Sequence, residues 1–201
     1  MDERGVFVLA DRALLGIVEQ IGDSQWEMLV PDWFPRGGSK GDVTLSEIVN
    51  YHAYDDSWVP HMLAGTSMDE AGKAQFDGDL LGDDPKGSFA GIVDAACAAA
   101  LALDDLDRVV HTSFGDYPAR EYLGQVTSFR GLRAHDIARL IGVDTRLADD
   151  LVQGLWDEIA PHAEEWRAIG VYGPAIEVSE DAELQDRLLG LTGREPDSRF
   201  W

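Results

Sequence analysis

Across residues 118–142, Tyr122, Val126, Phe129, Ile137 and Leu140 recur at helical spacing, and Arg133 falls on the same stripe, between Phe129 and Ile137. A charge on a core-facing stripe is costly unless it is paired. Arg133 therefore either meets a carboxylate inside the protein or lines a polar cavity. Asp136 follows on nearly the same line, whereas His135 is turned away from Arg133 by about 200° at about 100° per residue. A second segment has the same character. Ile48, His52, Asp55, Val59 and Met62 share one stripe, flanked by Tyr51 and Trp58, so His52 and Asp55 point where a core belongs.

Three chemistries fit these residues. The first is an internal cluster in which Arg133 pairs with Asp55 or Asp136 and His52 bonds to a carbonyl; the guanidinium fork suits a carboxylate through two parallel bonds. The second is a small-molecule pocket lined by Tyr51, His52, Asp55, Trp58, Phe129, Arg133 and Asp136, with Arg133 anchoring an anionic group and the aromatic rings forming apolar walls. The third is a zinc or nickel site on His52 and Asp55 with His135 or His111, which the nearby arginine would oppose.

Other chemistries find no support. Scattered serines and five histidines give no nucleophile arrangement. Gly37-Gly38 follows no strand, so it is not a phosphate cradle. The acidic run from Asp77 to Asp84 lacks calcium-loop spacing and its closing glutamate. Cys97, the lone cysteine, sits among alanines and reads as a small buried apolar residue. His111 reads as partly buried and bonded to backbone, and His61 and His162 as exposed. The formal net charge of -22 repels phosphate backbones and anionic lipid, so nucleic-acid and membrane-surface binding are not expected. Met1-Asp2-Glu3-Arg4 lacks a secretory start, and the longest apolar stretch, residues 89–103, is interrupted by Asp94 and too short to span a bilayer. A soluble cytoplasmic protein is expected.

The elements that must position these residues are helices. Periodicity predicts a first helix over residues 3–21, and Thr44 with Glu47 forms a capping box that opens a second, running to Ala64 with Pro60 bending or ending it. Ser67 with Glu70 opens a short helix to about Phe76, and a fourth helix covers residues 88–103. Residues 108–114 form an extended connector. Asp116 caps the long helix, with Pro118 in its first turn and Gly142 as its stop. A helix over residues 145–169, kinked at Pro161, a short strand at 175–178 and a last helix at 180–191 complete the chain. With 201 residues, 45% apolar content and no internal repeat or polar linker, this is one all-α domain over residues 1–201, an antiparallel bundle with its core in residues 3–169 and a C-terminal extension over 170–201.

Four stretches carry a resemblance. They are Glu47-Ile48-Val49-Asn50-Tyr51-His52 with Trp58-Val59-Pro60 and Leu63-Ala64-Gly65; His111-Thr112-Ser113-Phe114-Gly115-Asp116-Tyr117-Pro118; Asp136-Ile137-Ala138-Arg139 with Ile141-Gly142; and Tyr172-Gly173-Pro174-Ala175 with Asp186-Arg187-Leu188-Leu189 and Thr192-Gly193-Arg194. In this order the chain resembles the DinB-like helical bundles, and among them the actinobacterial relatives of the metal-binding domain of mycothiol-dependent maleylpyruvate isomerase. The resemblance implies a four-helix core, often dimeric, and a divalent ion held by three side chains that serves thiol-dependent isomerisation or transfer. Aligned on Asn50 and Asp136, those three positions read Tyr51, Phe129 and Arg133 here. Phenylalanine has no lone pair to give, and a protonated guanidinium cannot ligate. The expectation is a degenerate metal site and no bound metal, with a small, anionic molecule between the helices. A thiol-dependent transferase or isomerase rearranged onto His52, Asp55 and His135 is the alternative, and a structural or partner-binding bundle the third.

Overall fold

The computed structural model describes residues 1–36, 41–113 and 115–196. Gly37, Gly38, Phe114 and the end of the C-terminal extension lie outside the described residues. The chain is mostly helical, with eight helices and one two-stranded hairpin among the described residues: α1 Glu3–Val18, α2 Leu45–Leu63, α3 Met68–Ala71, α4 Pro85–Ala102, β1 Val109–Thr112, β2 Gly115–Pro118, α5 Ala119–Ile141, α6 Asp149–Ile159, α7 Ala163–Ala168 and α8 Leu184–Leu191.

Local signals set most boundaries. Thr44 and Ser67 each accept from the backbone N–H three residues on, while Glu47 and Glu70 reach back to the cap N–H, so both capping boxes form. The second is followed by only four helical residues, because Gly72 leaves the helix at φ 95°. The fourth helix opens earlier than its periodicity predicts: Asp84 caps it and Pro85 fills its first turn, where a missing N–H costs nothing. Gly142 closes α5 in the left-handed region at φ 76°, which glycine alone adopts without steric cost.

Four predicted elements differ. The extended connector is the first strand of a hairpin, with Val110 opposite Tyr117 and His111 opposite Asp116. Asp116 consequently belongs to β2, where its carboxylate meets His111 Nδ1 at 2.8 Å instead of capping α5. Pro118 precedes the first residue of α5, and no side chain caps that helix. The single helix expected over residues 145–169 is two, α6 and α7, because Pro161 supplies no N–H to continue the ladder beyond Ala160, which itself remains helical at φ -59° and ψ -39°. No strand forms at residues 175–178; the Ile176 N–H is taken by the Gly190 carbonyl instead.

The direction of each long helix follows from the side chains that link them. Glu3 faces Arg120 and Asp11 faces Arg130, so α1 and α5 run the same way. Arg4 bonds the Leu103 carbonyl, Arg12 meets Asp94 and Lys86 reaches the Glu19 carbonyl, so α1 and α4 run oppositely. Arg130 pairs with Asp56 and Arg133 with His52, so α2 and α5 are antiparallel. The four long helices therefore run up, down, down, up. Helices α1 and α5 pack side by side, as do α2 and α4, and α1 also packs on α4. Placing α2 and α4 parallel requires the long crossover that carries α3. The apolar core forms two clusters, one with Leu14, Phe34, Phe89, Leu132, Ile137 and Leu151 and one with Phe7 and Leu123, all of them fully buried. Helix α6 closes on α5 at Gly131, where a Cβ would lie only 2.6 Å from the Leu155 side chain. Cys97 is buried as expected, and burial together with nearby Asp11 pushes its thiol up to about 12. No helix of the described residues is long and apolar enough to cross a membrane.

Candidate functional site

Helices α2 and α5 are not among the pairs in broad backbone contact. Side chains span the seam between them, in two layers of charge with a cavity alongside.

The deeper layer centres on Arg130. Its Nε donates to Asp56 Oδ1 at 2.8 Å, its second terminal nitrogen donates to the same oxygen, and Nη1 donates to the Val126 carbonyl at 3.0 Å. Asp11 Oδ1 lies 3.4 Å from Nε, and the far Asp11 oxygen is 3.9 Å from the Cys97 thiol. Arg130, Asp56 and Asp11 are all essentially inaccessible to solvent. Burial, and then the Asp56 charge, push the Asp11 carboxyl well above the usual range despite the guanidinium. With Asp11 protonated, one cation faces one anion and the layer is neutral, the arrangement a low-dielectric interior favours.

The second layer centres on Arg133, 8% exposed. Its Nε donates to His52 Nε2 at 3.1 Å, its Nη1 to the Pro35 carbonyl at 2.7 Å, and its guanidinium lies 4.8 Å from the centre of the Phe34 ring. A histidine that accepts from arginine must be neutral, and burial followed by the Arg133 charge hold His52 well below its usual pKa. Asp136 is 3.8 Å from Arg133 but is bound by Arg194, through two bonds of 2.8 and 2.9 Å. Burial opposes its ionisation, yet the Arg194 charge, the nearby His135 ring, the hydrogen bonds from Arg194 and the Arg133 charge outweigh burial, and the carboxyl stays well below the usual range.

Between these helices and the hairpin lies a cavity of about 230 Å³. Tyr51, Tyr54, Asp55 and Trp58 of α2 face Tyr122, Gln125, Val126 and Phe129 of α5 across it, with Met62, Met68, Thr112, Ser113 and Arg130 completing the lining. Tyr51 and Phe129 are half exposed, while Trp58 and Tyr122 are buried. Asp55 forms no hydrogen bond or ion pair with any described residue. Burial pushes its carboxyl up to about 6, with Arg130 pulling down and Asp56 pushing up. Trp58 Nε1 is likewise buried without an acceptor.

Of the seven residues the sequence grouped into a pocket, the structure brings Tyr51, Asp55, Trp58 and Phe129 to this cavity. His52, Arg133 and Asp136 do not line it. The arginine at its edge is Arg130, one turn earlier, with three of its five N–H groups donating to Asp56 and Val126. The alternative metal set separates as well: His52 is held by Arg133, Asp55 faces the cavity, and His135 lies beside Asp136 with Nδ1 3.8 Å from its carboxylate. Among the described residues no group of three or more His, Cys, Asp and Glu side chains is placed to hold a metal ion. His111, expected to bond backbone, pairs with Asp116, and His61 packs against Trp58 and Phe76.

Arg130, Asp56, Asp11 and Arg194 escaped the periodicity reading. A signal for them exists. Asp11 recurs with Phe7, Leu14 and Val18, and Asp56 with Val49, Ala53 and Leu63, each at helical spacing. Arg130 sits with Ala119, Leu123, Thr127 and Ala134, a stripe of mostly small residues that hydropathy hardly registers. One cation and two acids on three apolar stripes form a matched set once the stripes are compared. No family model, curated protein or solved structure matches the chain.

Proposed function

We propose that this protein binds a small molecule in the cavity between α2, α5 and the hairpin, and that it is a DinB-like bundle whose family metal positions no longer offer a ligand set. The observation that carries the reading is Asp55. Arg130, Arg133, Asp136 and Arg194 are paired inside the protein, and Asp11 and Asp56 face Arg130, whereas the Asp55 carboxylate opens onto an aromatic-walled cavity without a hydrogen-bond partner among the described residues. A cavity of about 230 Å³ lies below the roughly 300–1,000 Å³ of drug-sized sites, so the ligand is small. Tyr51 and Phe129 stand at its wall, and Arg133, third of the aligned positions, turns to His52 and Pro35. The sequence expectation that Arg133 anchors the ligand loses its basis, because that guanidinium is engaged elsewhere.

A thermal-shift screen with small anionic, neutral and cationic compounds tests the reading, run beside a Val126→Phe variant that fills the cavity. Compounds that stabilise the wild type and leave Val126→Phe unmoved support it. Equal shifts in both proteins, or no shift with any compound class, would sink it.

A further inference from the structure

Resting on the reading of this cavity as a ligand site, we infer that its ligand is a small organic cation, an alkylated or aryl ammonium compound whose charge sits against Asp55 among the rings of Tyr51, Tyr54, Trp58, Tyr122 and Phe129.

Four observations converge on that charge. The wall is aromatic on both helices, and the negative face of an aromatic ring attracts a cation that has shed its water. The one side chain of the lining with an unshared charge is a carboxylate. The one cation of the lining, Arg130, is 1% exposed, and three of its five N–H groups already donate to Asp56 and Val126, so its charge is matched inside the protein and little of it is presented to an anion. With Arg130 balanced by Asp56, the charge left at the cavity is that of Asp55, inside a molecule of formal net charge -22 whose field draws cations in.

The test separates charge from shape. Calorimetric titration compares choline with its uncharged carbon isostere 3,3-dimethyl-1-butanol, and benzylammonium with benzyl alcohol, on the wild type and on Asp55→Asn. The expected result is that at least one ammonium compound binds tenfold or more tightly than its neutral counterpart, and that Asp55→Asn removes that advantage while leaving the weak neutral binding in place. Equal binding within both pairs, or an ammonium advantage that survives Asp55→Asn, would overturn the cationic assignment. Binding only by neutral or anionic compounds that Val126→Phe abolishes would overturn it too, yet would leave the cavity standing as a ligand site. Silence from every compound, charged or not, would remove both.

Discussion

Asp55 and Asp136 are carboxylates on facing helices whose environments drive them in opposite directions, and each predicts its own pH behaviour. Burial raises the Asp55 carboxyl to about 6, so between roughly pH 4 and pH 6 the native state binds more protons than the unfolded chain, and stability falls as pH rises through that window. Asp55→Asn should flatten that slope and raise stability at pH 7 by on the order of 1 kcal/mol, the full shift being discounted because the group is partly exposed. Urea denaturation across pH checks this, and a loss of stability at pH 7 would contradict it. The groups facing Asp55 are Tyr51, Tyr122, Asp56 and Arg130, and of these burial also raises the Asp56 carboxyl while Arg130 pulls it down, so the Asp55→Asn difference isolates the share of Asp55. Binding of a permanently charged ammonium should accordingly weaken below pH 6. Asp136 has the opposite sign: its carboxyl is held low, so its contribution is complete above about pH 4 and is lost as pH falls further. The two arginines of the seam also differ. Arg130→Ala strands the Asp56 carboxylate in the core and should cost about 3–5 kcal/mol. Arg133→Ala removes bonds to His52 and Pro35 but leaves Asp136 held by Arg194, so about 1–2 kcal/mol is expected. Equal losses in denaturation midpoints would show that the division of labour assigned here is mistaken. The sequence made the costly placement of Arg133 legible, since a charge on an apolar stripe is visible in spacing alone. It could not show which partner satisfies that charge, because Pro35, which accepts from Arg133, and Arg194, which claims Asp136, come from distant loops whose positions depend on tertiary packing.

At the scale of elements, helices were readable where apolar residues and cap chemistry agreed. Thr44 and Glu47 located the start of α2, and Thr44→Ala should cost about 1 kcal/mol in thermal or urea unfolding by freeing the N-terminal donors. Gly142 located the end of α5. The hairpin was not readable: a four-residue strand with one buried position offers no alternation, and its pairing partner β2 holds the very aspartate and proline that ordinarily announce a helix. The length of helix that is buried all round on α5 was also hidden. Gly131, Leu132, Arg133, Ala134, His135, Asp136, Ile137 and Ala138 are buried in succession, so no amphipathic stripe marks which side faces which neighbour. Close approach to α6 depends on Gly131. Gly131→Ala gains helix propensity, yet it drives a methyl into Leu155 in a filled core, and a net loss of about 1 kcal/mol is expected from denaturation.

At the scale of the molecule, the C-terminal extension is part of the bundle's closure. Arg167 bonds the carbonyls of Gly173 and Leu191, Gln185 bonds the Thr145 carbonyl and accepts from the Leu147 N–H, and Arg194 clamps Asp136. Arg194→Ala should therefore loosen the segment beyond α8 and expose Asp136, which hydrogen exchange would register as faster exchange in α8 together with the second half of α5; exchange confined to the last few residues would argue against the clamp. The up, down, down, up path explains why residues 64–84 are so many for a connection between neighbours. The two bridges across the seam lie about a turn apart on each helix, Arg130 with Asp56 and Arg133 with His52. Sliding either helix by a single residue would part Arg133 from His52, whose neighbours Tyr51 and Ala53 carry no imidazole, and would set Asp55 or Ser57 in place of Asp56 opposite Arg130. The pair works as a vernier: greasy side chains tolerate many alignments, but these two contacts coincide at one setting only, and the width of the slot beside them is fixed by that setting.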